Sequence, residues 1–420
     1  MTEQAHAIET MSKPLDGVVE VPGSKSETIR ALAAAAMAPG RSHLYGPLRA
    51  EDPEAMCGAL RNMGIAIDTD TEPWSIDGRG GHLEGGGNVD AHESGLSARI
   101  LIAMAASASG ATHIGGTGRL PERPMGGILE LVRSQGVEVE GERIPLSVVG
   151  RGHLWGGHWS VDCSESSQFA TAALLVAPLT QQPTTIEPRG LSSSAGYLEG
   201  TVSIMERFGA RPYRTVTGFE IANDGYRSAD VVIEPDASAA VYPMAIAAVS
   251  GGRVEIEGLG ASSWQPDREI ASALGEMGCR VEWHETRVSV DARGIELAGI
   301  DTDMSHAPDG ALALAVTCLF ASGPSVIRGL GSLRHKESDR LQSISQEMRR
   351  LGGAVDVVDD TLRIEPSPLH GGVVDPHGDH RIAMSMAIIG TRVKGVAISS
   401  PRVVAKTWPG FWRFLDDVSA

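Results

Sequence analysis

The sequence is poor in aromatic residues: Phe, Tyr and Trp together make up 4% of its 420 positions. Its cores cannot be built around large rings, so Ala, Leu, Ile, Val and Met must fill them. Cysteine is scarce too. Cys57, Cys163, Cys279 and Cys318 are widely separated and form no CxxC pair, which argues against a disulfide framework or a structural zinc site and for a reducing compartment. Long apolar runs are missing. Even the near-apolar stretch from Ala311 to Ala321 falls far short of the roughly 20 residues a membrane helix needs. There is no basic excess either. With 53 acidic and 36 basic side chains the formal net charge is −17, which argues against a nucleic-acid or anionic-membrane binder, since such proteins present a basic face. The opening MTEQAHAIETMSKPLDG lacks the features of a secretory signal. A soluble cytoplasmic protein is the expectation.

What is abundant is glycine, 51 of 420 residues, or about 12% against a usual 7% or so. Glycines in small-residue cores suggest closely packed helices and many turns. One kind of segment recurs: a polar start, an Ala-rich apolar stretch, then Gly or Pro. Examples are GSKSETIRALAAAAMAPG from Gly23, GLSARILIAMAASASG from Gly95 and SSQFATAALLVAP from Ser166. DASAAVYPMAIAAVSGG from Asp236, PDGALALAVTCLFASGP from Pro308 and GDHRIAMSMAIIG from Gly378 complete the set. From Lys25 through Gly95, Ser166, Asp236 and Asp309 to Asp379 the steps are 70, 71, 70, 73 and 70 residues. Five such similar steps identify an internal repeat rather than an accident of spacing.

Between the apolar helices lie amphipathic segments ending at Gly64, Gly136, Gly209, Gly278 and Gly352, where glycine suits the left-handed residue that stops a helix. Alternating stretches such as 279–292 and 353–366 predict β-hairpins. Each unit is then one buried helix, one outer helix and three or four strands. Three buried helices together would make one domain, so six units predict two domains of about 210 residues, in line with the size at which single cores stop growing.

The repeat also places the charges. Helix starts offer free N–H groups and a positive dipole end to anions, and these segments hold Lys25, Arg30, Arg99 and Arg381. The connecting segments add Arg123, Lys336, Arg340 and Lys406. Cations concentrated against the global sign point to a small, multiply anionic ligand. Each motif has a plainer reading as well. PGSKS (Pro22–Ser26) lacks phosphate-loop spacing and is otherwise a helix cap with a solvated lysine. SSQ (Ser166–Gln168) holds phosphate oxygens or merely caps a helix. KESDR (Lys336–Arg340) puts Lys336 and Arg340 four apart on one helix face, beside Glu337, which is usually a solvated ion-paired surface. In GDHR (Gly378–Arg381), Asp379 and His380 lack the companion ligands a metal would need. Asp309 is a cap or an acid–base group. No nicotinamide, nucleophile-elbow or zincin motif is present.

Taken in order, PGSKS…R (Pro22–Arg30), ERP (Glu122–Pro124), SSQF (Ser166–Phe169), EPDAS (Glu234–Ser238), PD (Pro308–Asp309), LRHKESDRL (Leu333–Leu341), GDHRIAM (Gly378–Met384) and AKTWPGFW (Ala405–Trp412) resemble the enolpyruvyl transferases. Within them, the pattern is similar to the EPSP synthase branch of the shikimate pathway. The resemblance implies an α/β fold of two domains, each with three βαβαββ units and buried parallel helices, and an active site in the cleft between domains that close on their ligands. It implies a discontinuous domain of residues 1–22 plus 236–420, with residues 23–235 inserted. The implied reaction transfers the enolpyruvyl group of phosphoenolpyruvate to the 5-hydroxyl of shikimate 3-phosphate and releases phosphate, with no metal or organic cofactor. A monomer with small-molecule substrates, and without nucleic-acid or membrane partners, is expected.

Carried over motif by motif, Asp309 and Glu337 would be the acid–base carboxylates, with Lys25 as a third participant. Lys25, Gly95, Arg123, Gln168, Arg340, Arg381 and Lys406 would surround phosphoenolpyruvate, with His380 adjoining. Ser26, Arg30, Ser166, Ser167, Gln168, Ser194, Tyr197, Ser332 and Lys336 would hold shikimate 3-phosphate, and Asp309 would touch its reacting hydroxyl. Three places depart from the family's pattern. Glu93–Leu96 replaces Asn-Ala/Ser-Gly-Thr, Ser332 stands where an asparagine is common, and Ala195–Gly196 replaces a basic residue and proline. A carboxylate at Glu93 aimed inward would repel phosphate, so it is expected to face elsewhere or to pair with a cation. Other readings are a transferase acting on UDP-N-acetylglucosamine, one acting on a modified cyclohexene, or a non-catalytic repeat scaffold. KESDR with SSQ, and a loop Gly115–Arg123 without cysteine, argue against the first. The last would leave the converging cations without a purpose.

Overall fold

Ala-rich segments with apolar residues on every side can form helices only where all sides are covered, and that is where they lie. In this computed structural model, described over residues 4–190 and 196–419, Lys25–Met37, Gly95–Ser107 and Gln168–Val176 are almost wholly buried helices that touch one another. Ala237–Ser250, Ala311–Cys318 and His380–Gly390 form a second such triplet. The two triplets belong to different units of the chain, Gly23–Ile233 and Met1–Pro22 with Glu234–Ala420.

Around each buried helix the same strand pattern repeats. Gly87–Asp90 leads into the Gly95 helix and pairs in parallel with Ser109–Gly115 after it. The outer helix Gly126–Ser134 then leads to Glu138–Glu140 and Leu146–Arg151, a hairpin whose second strand pairs antiparallel with Ser109–Gly115. This βαβαββ unit gives a four-stranded sheet in the order first, second, fourth, third strand. Two units take their first strand from elsewhere in the sequence. Asp16–Val19 pairs with Arg253–Glu257 in one unit, and Asp230–Val232 pairs with Pro39–Tyr45 in the other. The last sheet has no hairpin. His6–Ala7 takes its place against Val396–Ile398.

Two expectations about local structure hold and one is corrected. The hairpins form, with Arg280–Trp283 against Arg287–Asp291 and Ala354–Val358 against Thr361–Glu365. The outer-helix glycines all have positive φ, as at Gly64 (82°) and Gly278 (108°), a region that a Cβ disfavours. Close packing explains part of the glycine excess. A Cβ at Gly78 would lie 2.1 Å from Ala35 O, and one at Gly150 would lie 2.2 Å from Ala105 O, so equivalent strands press bare backbone onto two buried helices. Lys336 and Arg340, however, do not share a helix face. The helix is Arg340–Arg350, because the Asp339 side chain accepts a hydrogen bond from Gln342 N and caps it there. Lys336 and Glu337 therefore sit in the turn ahead of it, and the segment is not a solvated face, since Arg340 is buried.

Candidate active site

Asp309 lies just before the Ala311–Cys318 helix, whose N-cap is Gly310. Its side chain does not cap that helix but turns to three cations. Oδ1 is 2.8 Å from Arg340 Nη1 and 3.3 Å from Lys336 Nζ, and Oδ2 is 3.5 Å from Arg381 Nη2. Arg340 is the hub. Its Nη2 donates to Glu337 Oε2 at 2.7 Å, and its Nε donates to Asp379 Oδ2 at 2.7 Å. Asp379 also accepts from Ser338 Oγ and from Arg381 N, capping the His380–Gly390 helix. Glu337 Oε1 lies 3.7 Å from Lys406 Nζ, which ends the Pro401–Lys406 turn. Trp408, Phe411, Trp412 and Phe414, clustered just beyond, anchor that turn, with Trp412 Nε1 donating to Pro401 O at 2.8 Å. His380 is buried, its Nδ1 3.7 Å from Asp379 Oδ1.

Charges this deep are tolerable only when paired and hydrogen-bonded. Burial alone would raise the pKa of Asp309, but Lys336, Arg381 and Arg340 outweigh it and hold the carboxyl well below the usual carboxylate range. The same attractions, against the opposing effect of burial, push the Arg340 and Arg381 pKa values above the ordinary arginine value. The resting site is therefore a lattice of ionised groups. Ser332, in the Gly331–His335 turn, has a covered hydroxyl oxygen with no hydrogen-bond partner among the described residues.

The other unit carries the remaining candidates. Ser24 caps the Lys25 helix, and Lys25 Nζ lies 3.2 Å from Asp52 Oδ2. Arg30 is buried five residues on. It donates to Thr201 Oγ1 at 2.9 Å, to Ser26 O at 2.9 Å and also to Ser26 Oγ, and at 3.3 Å to both Thr171 Oγ1 and Tyr197 O. It thereby ties three helices together around Ser26 and Tyr197. Burial lowers its pKa to about 10, with Tyr197 and Glu27 opposing. Arg99 donates to Gln168 Oε1 and, at 2.7 Å, to Pro124 O, and its guanidinium lies 4.9 Å from the Phe169 ring. It joins the SSQF and ERP motifs. Arg123 lies against the start of the Gly95 helix, where a Cβ at Gly95 would be 2.6 Å from Arg123 Cζ. A larger residue there would have to displace the Arg123 guanidinium. Ser166 Oγ accepts from Gln168 N at 3.3 Å, whereas the Ser167 side chain makes no cap bond. Ser194 falls outside the described residues.

Glu93 faces along the loop that carries Arg123. A Cβ at Gly118 would lie 2.2 Å from Glu93 Oε1, and neighbouring backbone bonds join Thr117 N to His92 O and Ala91 N to Gly115 O. Asp379 and Arg99 were present in the sequence motifs but carried no assigned role. Asp52, Thr201 and Asp267 sit outside every motif, and only the fold brings them in.

A family model described as EPSP synthase (3-phosphoshikimate 1-carboxyvinyltransferase) matches residues 10–415. The 3-phosphoshikimate 1-carboxyvinyltransferase of Methanoculleus marisnigri is 38% identical over 410 residues, covering 96% of each chain. That of Trichormus variabilis is 34% identical, covering 97% of each. The EPSP synthase structure from Acinetobacter baumannii superposes with a TM-score of 0.84 at 26% identity, covering 100% of this chain and 98% of that one. The enolpyruvyl transferase NikO from Streptomyces tendae shares the fold, with a TM-score of 0.75 at 19% identity and coverage of 100% and 98%. With its motifs in order, its repeat intact and its whole length matched, the chain belongs to the EPSP synthase family.

Proposed function

We propose that the protein transfers the enolpyruvyl group of phosphoenolpyruvate to the 5-hydroxyl of shikimate 3-phosphate, releasing phosphate. The observation that carries this reading beyond family membership is the cluster of Asp309, Glu337 and Asp379 around Arg340, with Lys336, Arg381 and Lys406. Protonation of the methylene carbon of phosphoenolpyruvate makes its C2 electrophilic. The acceptor hydroxyl attacks C2 as it loses its proton, forming a C–O bond and a tetrahedral intermediate. Loss of a proton from the new methyl group then expels phosphate and restores the double bond. Such steps need groups that both give and take protons, held beside cations that stabilise the substrate's carboxylate and phosphate.

The ion-pair lattice supports this division of labour. Asp309 and Glu337 occupy cations that suit the anionic groups of phosphoenolpyruvate, and arginine forks match carboxylate and phosphate oxygens. Substrate anions that take over part of Arg340, Arg381 and Lys336 would loosen the hold on Asp309 and raise its basicity when the hydroxyl proton must be accepted. In the other unit Arg30, Ser26, Tyr197 and the Ser166–Gln168 helix start supply the shikimate 3-phosphate side, and Lys25, Gly95 and Arg123 serve phosphoenolpyruvate.

The test is phosphate release from phosphoenolpyruvate in the presence of a chelator, with shikimate 3-phosphate or UDP-N-acetylglucosamine as acceptor. Turnover is expected only with shikimate 3-phosphate, falling about 10³-fold or more in Asp309→Ala, on the scale of losing a proton-transfer group. Activity with neither acceptor would reject shikimate 3-phosphate and direct attention to a modified cyclohexene, with Ser332 as the first residue to examine.

A further inference from the structure

Asp267 belongs to no motif, yet it is only 2% exposed and lies within reach of the acid–base cluster. It sits in the short turn Pro266–Arg268. One carboxylate oxygen, Oδ1, accepts from Gly310 N at 3.1 Å, and the other, Oδ2, accepts from Ser238 Oγ. Gly310 immediately follows Asp309, and Ser238 lies in the first turn of the Ala237–Ser250 helix. The turn is itself fastened to the segment before that helix. Gln265 Oε1 accepts from Ala237 N at 2.9 Å, and its Nε2 donates to Pro235 O at 2.8 Å and to Glu234 Oε2 at 3.1 Å. Ser263 Oγ donates to the same Glu234 oxygen at 2.7 Å.

We propose that Asp267 is a positioning residue for the acid–base chemistry, its two oxygens fixing the backbone beside Asp309 to the first turn of the Ala237 helix. The inference rests on the assignment of Asp309 made above. A buried carboxylate is costly unless its oxygens are used, and here both are. The free N–H at Gly310 would otherwise be an unsatisfied donor at a helix start. Among the described residues the Asp309 carboxylate meets the side chains of Arg340, Lys336 and Arg381, and Asp267 adds a hold on the backbone that carries it. The charge has a partner as well. Burial raises the Asp267 pKa and Arg381 opposes that rise, while Asp309 adds to it; the three groups form one electrostatic unit. Val241 Cγ1 and Asp267 Oδ1 would lie 3.5 and 3.4 Å from a Gly310 Cβ, so the two residues pack against the same backbone position.

The experiment compares Asp267→Ala and Asp267→Asn with wild type in steady-state turnover and in hydrogen exchange of the Gly310 amide. In Asp267→Ala we expect kcat to fall about 100-fold, the scale on which a 1 Å misplacement acts. KM for both substrates should change far less than kcat, the pattern of an interaction that counts mainly in the transition state. Asp267→Asn keeps an acceptor for Gly310 N–H and should recover most of that loss. The Gly310 amide should exchange about tenfold faster or more in the alanine variant, on the order of one lost hydrogen bond, and near the wild-type rate in the asparagine variant. A folded alanine variant with kcat within threefold of wild type, or with an unchanged Gly310 amide, overturns the proposal. Absence of wild-type turnover would reject the substrate assignment instead, and the amide exchange would still decide the anchoring role.

Discussion

Arg30 and Arg340 are equally hidden, each 1% exposed, one within a buried helix and the other at the start of an outer helix, yet their surroundings are opposite. Arg340 meets three carboxylates, those of Asp309, Glu337 and Asp379. The hydrogen bonds of Arg30 go to neutral oxygens on Ser26, Thr171, Tyr197 and Thr201. One unit has thus balanced its buried arginine with carboxylates. The other holds a cation whose charge its hydrogen-bond partners do not cancel, the state in which a phosphate is the natural counter-ion. A single repeated architecture thus surrounds its buried arginines in two opposite ways, and under the proposed function this divides proton transfer from anion recognition.

The largest expected effect breaks the comparison at its centre. Arg340→Met leaves three carboxylates crowded in a buried site and should destabilise the protein by about 3–5 kcal/mol, the cost of stranding buried charge. Arg30→Met strands only hydroxyls and two backbone carbonyls. Thr171 and Thr201 are already 3.1 Å apart and can bond each other, so a loss of about 1–2 kcal/mol is expected. Urea denaturation measures both. Kinetics should separate them further, with Arg340→Met abolishing turnover and Arg30→Met mainly raising KM for shikimate 3-phosphate. Equal losses of stability would mean that the two environments are equivalent after all.

A smaller effect distinguishes the units by pH. The folded pKa of Asp309 is depressed below its unfolded value of about 3.9. Its stabilising contribution is therefore fully present above about pH 4 and is lost as pH falls towards the folded value. The stability gap between wild type and Asp309→Asn should close on acidification at up to about 1.4 kcal/mol per pH unit. The gap between wild type and Arg30→Met should stay flat over the same window, because Arg30, at about 10, remains protonated throughout. Acid titration of the three proteins, followed by unfolding at each pH, reads both slopes.

The sequence made the architecture legible because a period near 70 residues is carried by composition: apolar helices, stop glycines and alternating hairpins each have a local signature. The family resemblance likewise named Asp309 and Glu337, which the fold brings to one arginine. Partners were what remained hidden. KESDR suggested one helix face, but the cap at Asp339 starts the helix at Arg340 and frees Lys336 and Glu337 to turn towards Asp309 and Lys406. Asp267, Asp52 and Thr201 have no spacing that announces them. Each acts across a contact 27 to 171 residues away in sequence, and only the packing of helices and turns within and between repeats creates it.

Glu93 gives the smallest effect and the finest test of that limit. Its carboxylate is a departure from the family's pattern that, read from sequence, threatens the binding of an anionic substrate. In the structure it lies along Gly118, whose φ of 57° and missing Cβ make room for it, on the loop that leads to Arg123. A negative charge aimed at phosphoenolpyruvate from about 4 Å would cost about 1 kcal/mol even in water-like surroundings and more if partly buried, so its removal would lower KM roughly fivefold or more. Glu93→Gln keeps the shape and removes the charge. If the side chain is spent on the loop, KM for phosphoenolpyruvate should change by less than about twofold, since surface substitutions away from such features shift energies by about 0.5 kcal/mol or less. A marked fall in KM would place the charge in the binding site, and the unit that recognises anions would then contain its own electrostatic brake.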